Sequence, residues 1–164
     1  MAIAIDTFNK LRGVAYEGQV SDINAARIDS GPNLGAASIK FGRFVAASGA
    51  GDGVANVGAS TTAADIVGVA VRTPAWENAA TGQPAYEQKD IVSSLKSGRI
   101  SVIAQGGCTR GGNVFVNIKG ALEVGSVSGT TSADRIELTG VKFAQTVADG
   151  EFVELVLDGN IVTG

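Results

Sequence analysis

The side chains that carry out most acid–base and metal chemistry are nearly absent from this sequence. Among 164 residues there is no histidine, and the one cysteine is Cys108. Histidine is the group best suited to proton transfer near neutral pH, so serine and cysteine hydrolases that use it as a base are excluded. A single cysteine also excludes an intrachain disulfide and a cysteine-based zinc cluster. What remains is a binding or structural role, or chemistry that uses only carboxylates, lysine or tyrosine. Of these we favour the first, with no catalytic residue, no metal and no cofactor.

The remaining reactive motifs are weak. The turn Gly49–Gly53 superficially resembles a phosphate loop, but no helical pattern follows it and no Gly-Lys-Ser/Thr motif is present. Cys108 lies between glycine pairs beside Arg110, a position that favours an ordinary unpaired cysteine near a turn over a nucleophile. The 16 acidic residues are scattered along the chain. A carboxylate pair of the glycosidase type stays open as an alternative.

The net charge and the hydropathy of the chain argue against nucleic acids and membranes as partners. Thirteen basic and 16 acidic residues give a net charge of −3, which offers little attraction to nucleic acid or to an anionic membrane. No apolar run reaches the length of a transmembrane helix, and residues 1–10 lack the pattern of a signal peptide. We expect no nucleic-acid partner, no membrane partner, and synthesis in a cytoplasm.

The distribution of glycine predicts the fold class. The chain has 23 glycines and 45% hydrophobic residues, and short apolar segments alternate with glycine-containing turns. No segment of useful length keeps a helical period. The pattern predicts an all-β fold, a small jelly-roll-like or β-barrel domain of about 8–11 short strands with very little helix. The expected organisation is an extended N-terminal arm over residues 1–12 and a β-barrel domain over residues 13–164.

Individual elements follow from local composition. The nearly continuous apolar run 65–72 predicts a central strand, and 14–20, 113–117, 121–124 and 151–157 predict further strands. The turn-rich segments 21–37 and 54–64 predict loops. Residues 90–95 and 98–104 predict a hairpin around the polar turn Lys96–Gly98. The change of phase near Gly42 predicts a bulge within a strand over 38–46.

Two groups of hydrophobic residues are candidate contacts with a partner. Trp76 and Tyr86 lie on a segment punctuated by prolines, and exposed aromatic residues are typical of interfaces. The alternative is that Trp76 caps one end of the barrel. The N-terminal arm presents the second group, which is either a partner-binding arm or a strand that covers the core: Ile3, Ile5, Phe8 and Leu11.

The order of elements resembles the head decoration, or cement, proteins of tailed bacteriophages. The resemblance covers most of the chain and consists of strand cores and glycines, with no reactive residues. The matching segments are 13–22 (GVAYEGQVSD), 39–46 (IKFGRFVA), 65–71 (DIVGVAV), 98–102 (GRISV), 111–116 (GGNVFV), 140–144 (GVKFA) and 149–157 (DGEFVELVL).

This resemblance implies a structural protein without catalytic residues. It implies that the chain adds as dimers or trimers to the outer surface of a mature phage head and stabilises contacts between major capsid subunits. The partners would be the major capsid protein and further copies of the chain, and the location would be the virion. The resemblance assigns no residue to the contact with the shell.

Two other classes of function compete with the cement role. A glycan- or receptor-binding β-sandwich of a virion would use Trp76 and Tyr86 as stacking platforms. The low aromatic share, 5%, argues against a sugar groove. An enzyme that relies on carboxylates would be revealed by turnover that a single acidic substitution abolishes.

Overall fold

A computed structural model describes residues 15–49, 51–73 and 85–159 of the chain, with the backbone alone for 23–25. Within these ranges the protein has eleven strands and one 3₁₀ turn. Their bounds are β1 (Gln19–Pro32), β2 (Ile39–Lys40), β3 (Phe44–Ala47), β4 (Val54–Asn56), η1 (Ala63–Asp65), β5 (Ile66–Ala70), β6 (Ala85–Tyr86), β7 (Ile91–Ile103), β8 (Asn113–Asn117), β9 (Val127–Ser128), β10 (Arg135–Phe143) and β11 (Phe152–Asp158).

Nine of the strands form one antiparallel sheet that curls into a half-barrel. The strand order is β4-β3-β5-β7-β11-β10-β8-β9, and β1 also pairs with β7; β2 and β6 form a separate two-stranded sheet. This architecture confirms the all-β prediction. Among the described residues no helix has the length and apolar character required to cross a bilayer.

Strand β7 is the centre of the sheet because three strands pair with it. Strand β1 follows it from Ile91 to Ser101, β5 pairs at Ser94 and Leu95, and β11 pairs from Ser97 to Ile103. Gly98 has φ +122°, a backbone conformation that other residues rarely adopt. The thirteen residues of β7 therefore continue as one strand through a position that the sequence marks as a turn.

Alternation of side chains builds the core. In β11, Val153, Leu155 and Leu157 are buried while Glu154 and Val156 are only partly so, as expected for a strand with one face on the core. The main hydrophobic cluster gathers the inward residues of the large sheet. A second cluster lies beneath the small sheet and comprises Ile39, Phe41, Val45, Val54, Ala70, Tyr86 and Val92.

Some sequence-based elements are confirmed and others are wrong. The central strand over 65–72 is confirmed as β5, and 113–117 and 151–157 are confirmed as β8 and β11. The hairpin over 90–104 is wrong, because both halves belong to β7. The loop over 21–37 is wrong for most of its length, since β1 runs through it as a partner of β7.

Three further differences are local. The strand over 121–124 is wrong: these residues form a bend that leads into a turn, the Gly125 amide donates a hydrogen bond to the Asn117 carbonyl oxygen across the connection, and β9 begins only at Val127. The loop over 54–64 contains the short strand β4 and the 3₁₀ turn. Gly42 lies in a turn between β2 and β3 rather than at a bulge within one strand.

Candidate functional site

Tyr86 is a core residue, which corrects the expectation of an exposed aromatic platform at this position. Its side chain has no exposed surface. The phenol hydroxyl donates a hydrogen bond to the carbonyl oxygen of Val71 at 2.7 Å, and the ring meets Phe41 edge-on with centroids 5.1 Å apart. A buried tyrosine whose hydroxyl is satisfied adds packing and one directional bond. It therefore fastens β6 to the end of β5.

The other predicted contact residues lie outside the described part of the chain. Ile3, Ile5, Phe8 and Leu11 precede residue 15, and Trp76 lies between residues 73 and 85. Their role in contacts with a partner stays a prediction. The division into an arm over residues 1–12 and a domain over 13–164 stays a prediction for the same reason.

The described residues offer little reactive chemistry. No three of their histidine, cysteine and acidic side chains are placed to hold a metal ion. Cys108 is buried, and this burial raises the pKa of its thiol above the ordinary value of 9.0. A thiol with a raised pKa has a small thiolate fraction at neutral pH, which makes it a poor nucleophile. This environment agrees with the interpretation of Cys108 as an ordinary unpaired cysteine.

The glycine-rich turn after β3 is a hairpin connection. Its two ends are joined by a hydrogen bond from the Ser48 amide to the Gly53 carbonyl oxygen at 2.8 Å, and β3 and β4 pair on either side of it. A phosphate loop requires a helix whose first amides point at the anion. Strand β4 follows this turn instead, so the phosphate-loop interpretation has no structural support.

The most extensive charged cluster in the described structure surrounds Arg43. Its side chain is 6% exposed, and its Nη1 and Nη2 atoms lie 2.6 and 2.5 Å from the carboxylates of Glu17 and Glu123. Lys40 forms a further ion pair with Glu123. We call Glu17, Lys40, Arg43 and Glu123 the Arg43 cluster. It joins three separated segments: the turn before β1, the turn between β2 and β3, and the connection between β8 and β9.

The guanidinium geometry explains why an arginine occupies this position. A planar guanidinium can bind two carboxylates at once, and a carboxylate on each side compensates for removing its charge from water. The Nε atom of Arg43 is buried without a hydrogen-bond partner. The sequence predicts only a strand over 38–46, and no local signal in these residues distinguishes a buried arginine from an exposed one.

The electrostatics of the Arg43 cluster favour ionised Glu123. Partial burial acts to raise the pKa of Glu123, but the hydrogen bonds and charges of Lys40 and Arg43 outweigh it. The pKa is thus lowered from its ordinary value of 4.5. A carboxylate with a lowered pKa in the folded state contributes stability above its unfolded pKa. That contribution is lost as the pH falls through the folded value.

We expect acid to weaken the domain through this cluster. The urea midpoint should fall as the pH drops below the ordinary pKa of 4.5 and through the lowered pKa of the folded state, because protonation of Glu123 removes its ion pairs. The Glu123→Gln variant should be less stable than the native chain at pH 7 and should lose less on acidification. Equal pH dependence of the two midpoints would show that Glu123 does not contribute. Urea denaturation followed by circular dichroism measures both midpoints.

A cleft with a volume of about 680 Å³ lies between β1 and the β3–β4 hairpin. Val54 and Val67 form part of its wall, while Lys96 and Asp29 line its rim and pair with each other at 2.5 Å. The hydrogen bond from Lys96 is the main reason that the pKa of Asp29 is lowered. Because Lys96 and Asp29 neutralise each other, they form a surface ion pair and leave no free charge for catalysis in this cleft.

The fold and these features define a class of protein: a curled all-β domain whose conspicuous charged groups serve to hold segments together. Over residues 5–158 the chain matches a family model described as structural cement protein (E217 gp24/Pam3 gp6). The match spans most of the chain, so the protein belongs to this family of phage structural cement proteins. The resemblance to head decoration proteins is thereby confirmed. No curated protein matches the chain significantly in sequence.

Two solved structures share the fold. A chain in the structure of the capsid of Myoviridae phage XM1 is 17% identical, with a TM-score of 0.71 and coverage of 90% of this chain and 91% of the other. The head fibre gp8.5 N base of bacteriophage phi29 is 14% identical, with a TM-score of 0.50 and coverage of 84% and 100%. At such identities the likeness concerns the fold.

Proposed function

We propose that this protein decorates the outer surface of an assembled phage head and stabilises contacts between neighbouring major capsid subunits, without catalysing a reaction. The observation that carries the proposal is the family match over residues 5–158, made by a domain whose described residues include no metal-binding cluster. A structural role in the virion follows from the family. The outer surface and the capsid subunits as partners are the proposed part.

The described domain is suited to carry load between subunits. Three strands pair with the central strand β7. The buried guanidinium of the Arg43 cluster holds three connecting segments together through its ion pairs. A stable interface buries about 1,200–2,000 Å² in total, and each such patch added across a subunit junction raises the work needed to separate the subunits. A domain that resists deformation transfers the separating force to the subunits that it contacts.

Self-association would strengthen the effect. Linked contacts multiply weak ones, and closed symmetry is the common arrangement of homo-oligomers. We propose a dimer or trimer on the shell, with Ile3, Ile5, Phe8, Leu11 and Trp76 as candidate contacts. The glycan-binding alternative loses one of its two platforms, because the ring of Tyr86 is buried.

The proposal is tested on heads from which the protein has been stripped. Re-addition of the folded chain should raise the temperature at which heated heads release DNA, because each bound copy adds buried contact across a junction. An unrelated protein of similar size and charge serves as the control. If stripped and decorated heads release DNA at the same temperature, the cement function is wrong. Binding on a glycan array without binding to heads would favour the glycan alternative.

A further inference from the structure

The turn before β1, the end of β5 and strand β6 meet at one corner of the domain. The Gly18 carbonyl oxygen accepts a hydrogen bond from the Arg72 amide at 2.7 Å, which places the turn beside the end of β5. Strand β6 is adjacent, since Ala85 pairs with Lys40 and Tyr86 bonds to Val71. The fold thus brings Gly18, Arg72 and Tyr86 together, although more than fifty residues separate the first from the second.

The surface at this corner combines an aromatic ring, an arginine and aliphatic side chains. We call Tyr16, Gln19, Val20, Val71 and Arg72 the corner surface. Gln19, Val20, Val71 and Arg72 line a recess of about 490 Å³. Tyr16 is 44% exposed, and the Arg72 guanidinium carbon lies 4.8 Å from the centroid of its ring and 5.8 Å from that of Phe41.

Arg72 lies against aromatic rings and has no ion-pair partner among the described residues, in contrast to Arg43 and Arg99. The nearby Glu17 carboxylate is engaged by Arg43. Both rings lie within cation–π distance and restrict the position of the guanidinium, and an exposed guanidinium can donate two hydrogen bonds to a carboxylate of a partner. A preorganised, exposed arginine beside an exposed aromatic ring is the composition of interface hot spots.

From this arrangement we propose that the corner surface binds a carboxylate-bearing surface of a major capsid subunit. The proposal rests on the proposed cement function and specifies the face that performs it. A two-fold contact of the corner surface with itself is unfavourable, because it would bring two Arg72 guanidinium groups together with no acidic residue among the five. Because the corner surface carries a positive charge and no negative one, it fits a carboxylate-bearing face, and the cement function supplies the shell as its occupant. A head-to-tail contact between copies, as in a trimer, is the alternative outcome that the crosslinking test distinguishes.

Site-specific photo-crosslinking on stripped heads tests the occupant. A benzophenone amino acid replaces Tyr16, which keeps an aromatic ring at the position, and replaces the exposed Arg110 in a second preparation as the control. We expect an adduct with the capsid subunit from position 16 and none from position 110. An adduct between two copies of this chain, or adducts from position 110 alone, would overturn the proposal.

Charge reversal tests the recognition. Arg72→Glu should weaken binding to stripped heads by about tenfold or more, since a favourable ion pair becomes a repulsion, whereas Arg110→Glu should change binding by less than about twofold. Circular dichroism checks that both variants are folded. Equal head binding by both variants would overturn the corner surface and leave the cement function intact. Failure of the native chain to bind heads would overturn both.

Discussion

The Gly18→Ala variant is expected to lose more than about 3 kcal/mol of its free energy of unfolding, which is enough to leave much of a marginally stable domain unfolded. Gly18 has φ +76°, and a β-carbon there would lie 2.8 Å from the Arg72 nitrogen, 2.9 Å from the Ala70 oxygen and 2.9 Å from the Gly42 nitrogen. All three are backbone atoms, which cannot rotate away. The added methyl group would push the turn before β1 away from the end of β5.

Two other glycines separate the causes of this loss. Gly51 also has a left-handed backbone, with φ +73°, but a β-carbon there meets nothing within 4 Å. Gly51→Ala should therefore cost only the conformational penalty, about 1–2 kcal/mol. Gly49 has neither constraint, and Gly49→Ala should be close to neutral. Urea unfolding of the three variants gives the comparison. A similar loss in Gly18→Ala and Gly51→Ala would show that the close backbone approach does not matter.

Replacing Arg43 with methionine should lower the free energy of unfolding by roughly 2–3 kcal/mol. Methionine retains the packing of the aliphatic stem but leaves Glu17 and Glu123 without their shared partner. The two carboxylates are 26% and 32% exposed. They keep some contact with water, so the expected loss lies below the upper range for a fully buried pair.

The ion pair between Arg99 and Glu154 provides the matched control. Its distance is 3.0 Å, but the Arg99 side chain is 49% exposed, and exposed pairs contribute less than about 1 kcal/mol. Arg99→Met should therefore have a small effect in the same urea assay. A double-mutant cycle of Arg43→Met with Glu123→Gln measures the coupling directly. Additive effects in that cycle would contradict the interpretation of the cluster as one unit.

The sequence predicts the strands whose composition is decisive on its own. The run Ile66–Ala70 is apolar throughout because β5 lies within the sheet, so its pattern is complete in five residues. Strand β11 shows the alternation of one buried face. These local signals suffice for the fold class.

The failures share a different cause, which is pairing between distant segments. Strand β1 contains Asp22, Ser30 and Pro32, residues typical of loops, and it is a strand because β7 lies beside it. The polar residues Lys96 and Ser97 with Gly98 resemble a hairpin turn, but partners on both sides keep them extended. Burial of Tyr86 depends on Phe41 and Val71, and neither is a neighbour in sequence.

The corner surface could not be predicted from the sequence for the same reason. Tyr16 and Arg72 are 56 positions apart, and they meet only because Gly18 admits the backbone of residues 70–72 so closely. A sequence pattern can mark an aromatic residue or an arginine as exposed. It cannot show that one stacks on the other without knowledge of the close glycine contact.

Because β7 pairs with three strands, the order of synthesis determines when each of its pairings can form. Strands β1 and β5 precede β7 in the chain, but β11 begins about 50 residues after β7 ends. At roughly 5–20 residues per second, the C-terminal half of β7 waits about 2–10 s for its partner during translation. Until β11 is made, the backbone N–H and C=O groups that it will bind can pair with other nascent chains. Lys96 and Arg99 place positive charge along that stretch, and charges of this kind discourage aggregation while synthesis finishes.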